Sequence, residues 1–253
     1  MKVRIKFRKY GVMKFIGHLD VMRYFQKAMR RADIPIAFTG GYSPHMIMSF
    51  AQPLGIGITS DGEYLDVELK EPVSSREAVD RLNRVMAEGI DIVSFVQIPE
   101  EKKYSGMTVV AAAEYRVTLP ETVKTSEIIC AVPDSWEKQV QEFLAQPEIL
   151  VMKKTKRSEK EVNIRPMIYE MKVSETEMTL FLAAGSEENL KPDLVMQAFL
   201  TFIREDEAQI PLYYHRIDLY ARAEMAGEPF QPPVKGKDLL PLDAFGNEVV
   251  LGE

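Results

Sequence analysis

An α+β chain of two successive β-α-β-β-α-β units, closed by an extended C-terminal tail, is the fold this sequence predicts. Three observations carry the prediction. Short runs alternate apolar and polar residues, as at Val3, Ile5 and Phe7, and side chains alternate across a strand. Between them stand segments with apolar residues every three or four positions, the spacing of a half-buried helix. The order in which the two kinds of segment follow one another is the split, ferredoxin-like arrangement, and it occurs twice in tandem.

The first unit spans residues 1–100. Val3, Ile5 and Phe7 alternate with Lys2, Arg4, Lys6 and Arg8, so the opening strand has one apolar and one basic face. Residues 18–32 read as a helix, with Leu19, Met22, Phe25 and Met29 as its buried stripe and Arg23, Lys27, Arg30 and Arg31 on the other side. Pro35 marks its stop. His45–Ala51 and Tyr64–Leu69 read as strands joined through Pro53, Gly55, Gly57 and the turn-forming pair Asp61-Gly62. Ser74–Ala87 is a helix opened by the capping pair Ser74 and Glu77. Ile90–Ile98 closes the unit as a strand.

Residues 99–106 (PEEKKYSG) read as a linker. The second unit, residues 107–225, repeats the order with one extra strand. Thr108–Leu119, Ile149–Lys156, Glu161–Val173, Met178–Ala183 and Tyr213–Ala223 are its strands. Pro133–Ala145, capped by Asp134 or Ser135, and Pro192–Ile203 are its helices. Residues 226–253 carry Pro229, Pro232, Pro233 and Pro241 and read as the extended tail, with a small hairpin about Phe245-Gly246-Asn247.

Composition narrows the function. No apolar run reaches the roughly 18–20 residues of a membrane-spanning helix, and the charged N-terminus lacks a signal-peptide core. The single cysteine, Cys130, excludes an internal disulfide framework and a three-cysteine cluster, and it reads as a buried, inert thiol. A cytoplasmic protein without cofactor or metal is expected, with no membrane partner. Net charge is −6, yet residues 1–35 hold ten Lys/Arg against two acids, a local +8 that leaves −14 elsewhere. Local sign decides whether a surface attracts phosphate. In a split β-α-β unit the helices cover one sheet face. Lys2, Arg4, Lys6 and Arg8 then decorate the other face, and with Arg23, Lys27, Arg30 and Arg31 they form the candidate nucleic-acid surface. The basic turn Lys153–Lys160 is a second, weaker candidate. The alternative for the first strand is an edge guarded by lysines.

His18, Asp20 and His45 are candidates for an acid–base site if the strand after Gly40-Gly41 returns beside the helix. Asp20 at a helix start equally suits the macrodipole. His215 reads as structural. Gly40-Gly41 and Gly55-Ile56-Gly57 lack the context of a phosphate loop. The pair Gly40-Gly41 reads as a turn into a strand, whose Met46 and Met48 face the core.

The stretch Lys14–Leu69 resembles a known bacterial family, the radical-SAM-associated (radical-SAM-linked) proteins, a domain of unknown function. The resemblance rests on Phe15, Gly17-His18-Leu19-Asp20, Met22-Arg23, Arg30-Arg31-Ala32, Pro35, Gly41-Tyr42-Ser43-Pro44-His45, Ser49-Phe50, Pro53-Leu54-Gly55 and Glu63-Tyr64-x-Asp66. It departs at Met46 and Ile47, where many relatives carry proline and lysine. The resemblance implies a radical SAM protein encoded nearby as partner, and a setting among ribosomal-protein and ribonuclease genes. The tandem arrangement also looks like that of CRISPR repeat-processing endoribonucleases, although their glycine-rich C-terminal loop is not evident here. The expected function is a non-catalytic RNA-binding or substrate-presenting partner of a radical SAM enzyme, in RNA or ribosome-related modification. The alternatives are a metal-independent endoribonuclease-like protein using His18 and His45, and a pure protein-interaction module.

Overall fold

The structure, a computed structural model, describes residues 1–119, 122–124, 127–129, 132–133, 135–154, 159–186, 188–204, 210–223 and 238–251. Cys130, the expected cap Asp134, the turn residues Lys156 and Arg157, and residues 226–237 of the expected tail lie outside them. In chain order the elements are β1 (Lys2–Lys9), α1 (His18–Arg31), β2 (Met48–Phe50), β3 (Thr59–Glu68), α2 (Ser75–Asn83), β4 (Ile90–Ile98), α3 (Gly106–Val109) and β5 (Val110–Thr118). Then follow β6 (Thr122–Lys124), β7 (Glu127–Ile129), α4 (Ser135–Leu144), β8 (Leu150–Lys154), β9 (Glu159–Asn163), β10 (Ile168–Val173), β11 (Met178–Ala183), α5 (Pro192–Phe202), β12 (Tyr213–Arg222), β13 (Leu239–Pro241) and β14 (Asn247–Glu248).

The result is a mixed α+β protein on a ten-stranded, mostly antiparallel sheet. In its first half β4, β1, β3 and β2 lie side by side, every pair antiparallel. In its second half the order is β10, β11, β5 and β12, again antiparallel throughout. One parallel contact joins the halves: His215 and Arg216 of β12 pair with Thr59 and Ser60 of β3. The ribbons β6–β7 and β8–β9 stand apart from this sheet. None of the described helices is long and apolar enough to cross a membrane.

Each half has its own apolar core. Val3, Ile5 and Phe7 pack with Phe25 and Met29 of α1 and with Ala78 and Leu82 of α2. Trp136, Val140 and Phe143 of α4 and Phe199 of α5 close over β5, β11 and β12. Helix α1 buries Val21, Phe25, Ala28 and Met29, a stripe rotated from the expected one. Leu19 is exposed, because it lies on the helix face turned away from Val21, Phe25, Ala28 and Met29. Ser74 caps α2 as expected, accepting from the Glu77 amide.

Several boundaries differ from the reading of the sequence. The strand expected at His45–Ala51 shortens to Met48–Phe50, the part that finds a partner in residues 65–67 of β3. Asp61-Gly62 is no turn; it lies inside β3. Gly62 is there because Asp218 of β12 packs directly on its backbone: a Cβ at this position would sit 2.7 Å from the Asp218 Cα. The expected strand Glu161–Val173 breaks at a 3-10 turn, Arg165–Met167. Pro166 cannot donate to a ladder, and the Asn163 side chain takes the amides of Ile149 and Arg165 instead. The expected linker is packed on the sheet, with the Gly106 amide on Asp66. The described end of the chain, 238–251, is likewise docked. β13 pairs with β12, β14 pairs with β4, and Leu239 and Leu242 are fully buried.

Gly62→Ala tests the close approach of β12 and β3. With Asp218 backbone in the way, the methyl group has no room, and a loss of about 2–4 kcal/mol in unfolding free energy is expected by denaturant titration. A variant as stable as the parent would show that the two strands do not meet here.

Candidate functional site

The cations of β1 do not present an open basic face. Arg4 is 1% exposed. Its guanidinium holds Asp66 through two bonds of 2.7 and 2.9 Å and donates to the carbonyls of Tyr104 and Leu242. The Lys6 ammonium lies 2.6 Å from Asp218 and 3.8 Å from Asp243. Lys2 donates to the Glu100 carbonyl, and Arg8 lies 3.5 Å from Asp61. The helix-free face of the first half is therefore covered by the segments around Tyr104 and Leu242 and studded with carboxylates. Alternation in β1 correctly separates the two faces. It carries no information about the carboxylates that arrive 62 and 212 residues later, or about the Leu242 carbonyl 238 residues later.

Beneath this cover Tyr64 donates to Asp218 at 2.6 Å and to Asp243 at 3.2 Å, and Ser94 also reaches Asp243. Burial and the two carboxylates push the Tyr64 hydroxyl far above its ordinary range, so it stays a donor. Burial raises the Asp218 carboxyl pKa, with Lys6, Tyr64 and the Leu219 amide opposing. On the helix side of the sheet, Arg216 faces Glu63 at 2.9 Å and donates to the Gln52 carbonyl. Burial raises the Glu63 carboxyl against the pull of Arg216, and lowers the nearby Lys9 ammonium against the pull of Glu63.

The cations of α1 are placed differently. Arg23, Lys27, Arg30 and Arg31 are all exposed. Spacings of four and three residues put Arg23, Lys27 and Arg30 along one line of the helix surface. Arg23 meets Asp20 at 3.3 Å, and Arg31 touches the Val85 carbonyl. At the N-terminal end of the same helix the chain forms a 3-10 turn, Gly11–Phe15. The Gly57 amide donates to the Lys14 carbonyl there, which holds Ile56 beside Gly17. Phe15, Leu19 and Ile56 are 64, 61 and 67% exposed. The Lys14 ammonium lies over the Phe15 ring.

No described contact joins His18, Asp20 and His45 to one another. His18 is exposed, with its ring edge-on to Phe50 at 5.2 Å. Asp20 serves the first turn of α1 and pairs with Arg23. His45 closes the glycine turn: its Nδ1 and its amide both engage Thr39 Oγ1, and its carbonyl accepts from the Thr39 amide. Gly41 takes φ +99 within that turn, and Tyr42 projects fully into solvent. No group of three or more His, Cys, Asp or Glu placed to hold a metal occurs among the described residues.

His215 is the histidine with a side-chain partner on each ring nitrogen. Nδ1 meets Thr59 Oγ1 at 2.8 Å and Nε2 meets Asp61 Oδ2 at 3.0 Å. It sits at the parallel pairing of β12 with β3. A single histidine in a strand gave no signal for this role, because both partners lie more than 150 residues away.

The sequence model of a bacterial family described as "Uncharacterized protein conserved in bacteria (DUF2344)" matches residues 2–192. The chain belongs to that family. No curated protein matches it.

Tyr64→Phe tests the hydroxyl that serves Asp218. The folded carboxyl pKa lies above its ordinary 3.8, so its contribution to stability is greatest below that pH and falls as pH rises through the folded value. Removing the donor raises the folded value further. The penalty is expected to be smaller near about pH 4 and to reach about 2 kcal/mol near about pH 7 in urea titrations. An equal penalty at both pH values would place Asp218 outside the network.

Proposed function

We propose that this DUF2344 protein is a non-catalytic, RNA-binding partner that presents substrate to a radical SAM enzyme. The observation that carries the reading is the surface of α1. Four exposed cations run along it, and an exposed apolar group stands at its N-terminal end. Charge on an exposed helix attracts phosphate without selecting sequence, as a presenting protein requires. The apolar end suits protein contact: Phe15, Leu19 and Ile56 each offer about 1.5–3 kcal/mol on full burial by a partner.

The tandem ferredoxin-like reading fits the repeated strand order of the two halves. The radical SAM partner comes from the resemblance in Lys14–Leu69, whose exposed members His18, Leu19, Asp20, Arg23, Tyr42 and His45 flank the same helix or its neighbouring loop. The non-catalytic reading is supported by the separate duties of His18, Asp20 and His45.

The test is binding of fluorescent single-stranded RNA against salt. The wild type is expected to lose affinity linearly in log salt, by about 0.7 per phosphate neutralised. Arg23→Glu/Lys27→Glu/Arg30→Glu should weaken binding at least ~10-fold with no change in melting temperature, since none of the three is buried. RNA affinity that is absent, or indifferent to the triple change, would sink the reading.

A further inference from the structure

The loop between Phe38 and Met46 is held at its base and open at its tip. Phe38 and Met46 form a β-bridge, and Met46 is buried. One residue further out, the Thr39 amide donates to the His45 carbonyl. Thr39 Oγ1 accepts from the His45 amide at 3.2 Å and meets the His45 Nδ1 at 3.1 Å. Beyond this closure residues 40–45 are all exposed. A Cβ added at Gly40 or Gly41 would meet nothing within 4 Å, so the tip stands clear of the rest of the chain. Pro44 fixes its own φ and disfavours a helical Ser43, which limits how far the tip can fold back.

Tyr42 sits at that tip and is fully exposed. A ring there buries no surface within its own fold, so packing does not require an aromatic at this position. Two features decide what the ring can meet. At the base of the loop the Lys70 ammonium lies 5.2 Å from the Phe38 ring centroid, so one face of that ring is taken, whereas both faces of Tyr42 are open. Gly41 and Ser43 flank Tyr42 in the chain, so the ring stands without an apolar rim. A tyrosine that anchors a protein contact works inside a rim that excludes water. Base stacking needs only a flat ring with a free face, and cations for the backbone. Those cations are close along the chain. It leaves α1 at Arg31, turns at Asp33 with φ 51, and reaches Thr39 eight residues after Arg31. That stretch spans at most about 29 Å, a length covered by about nine stacked nucleotides at a rise of about 3.4 Å each.

We propose that Tyr42 is a stacking platform for an unpaired base of single-stranded RNA. The inference rests on the RNA-binding reading above and adds what the α1 stripe does not supply, contact with bases. Cations on a helix hold the phosphates of single and double strands alike. A projecting ring selects strands whose bases are free to splay out and stack. It does so without reading sequence, because every base has a flat face.

The experiment is fluorescence-anisotropy titration of the full chain with two labelled RNA strands of equal length, an oligoadenylate of about twelve nucleotides and its abasic counterpart. Tyr42→Ala should weaken the oligoadenylate about 5- to 150-fold and leave the abasic strand unchanged. Tyr42→Phe should stay within about 2-fold of the wild type, because stacking uses the ring and not the hydroxyl. Tyr42→Ala should keep the salt slope of the wild type, since no phosphate contact is lost, whereas the α1 triple variant should lower it. Melting temperature should not move in either Tyr42 variant, because the ring is unburied. Wild-type affinity for the oligoadenylate in Tyr42→Ala overturns the proposal and leaves the ring to a protein contact; the α1 reading then still stands if the triple variant is weakened. An equal loss on both strands also overturns it, because the ring would then act through the RNA backbone. Weakening by Tyr42→Ala but not by the triple variant keeps the stacking site and removes the α1 surface. No binding by the wild type up to about 10⁻⁴ M protein overturns both.

Discussion

Two backbone pairs join the halves of this protein into one sheet, His215 with Thr59 and Arg216 with Ser60. Two parallel pairs alone are a weak bond between two cores, and side chains supply the rest. Each polar residue of β12 at this point takes a partner across the seam. His215 bridges Thr59 and Asp61, Arg216 meets Glu63, and Asp218 meets Tyr64 and Lys6. Gly62 gives Asp218 the space to do so. Buried charges are tolerated only when paired and hydrogen-bonded, so the seam fixes its own register: a one-residue slip would leave several of these groups without partners. The C-terminal segment then depends on the seam, because Asp243 completes the site around Tyr64 and Lys6.

The elements that hydrophobic period defines were legible in the sequence. β1, α1, α2, β4, α5 and β12 lie within a few residues of where alternation and 3.6-residue spacing place them. What was not legible depends on partners distant in sequence. Asp61-Gly62 has the composition of a turn, yet it runs as strand where β3 lies between β1 and β12. The prolines near the end suggest an extended tail, yet Leu239 and Leu242 are core residues there. No local pattern distinguishes an apolar residue that will be covered by its own chain from one that will face solvent. Leu19 shows the converse, an apolar residue at helical spacing that the sheet does not reach.

The stretch Lys14–Leu69 divides in the same way. Glu63, Tyr64 and Asp66 are buried and bound to Arg216, Asp218 and Arg4. Their chemistry is accounted for by the seam and by the cover over β1. His18, Leu19, Tyr42, Ser43, Pro44 and His45 face solvent. Packing accounts for the Thr39–His45 closure of the turn and for little else among them. The proposed function therefore starts from α1 and its neighbouring loop rather than from β3.

The same division corrects a simple reading of charge. A local excess of eight positive charges over the first 35 residues suggests one broad basic field. In the fold, Arg4 and Lys6 are matched within 3 Å by Asp66 and Asp218, and Lys9 is buried beside Glu63. A cation paired at that distance contributes a dipole, whose field fades much faster than that of a lone charge, and salt shortens it further. On α1 the cations do reach solvent: Lys27, Arg30 and Arg31, with Arg23 partly offset by Asp20. On the proposed reading, this helix is where a polyanion would be attracted. A stripe of charge that ends at exposed Leu19 and Phe15 would also orient the proposed encounter, with apolar surface at its end for a protein partner to cover.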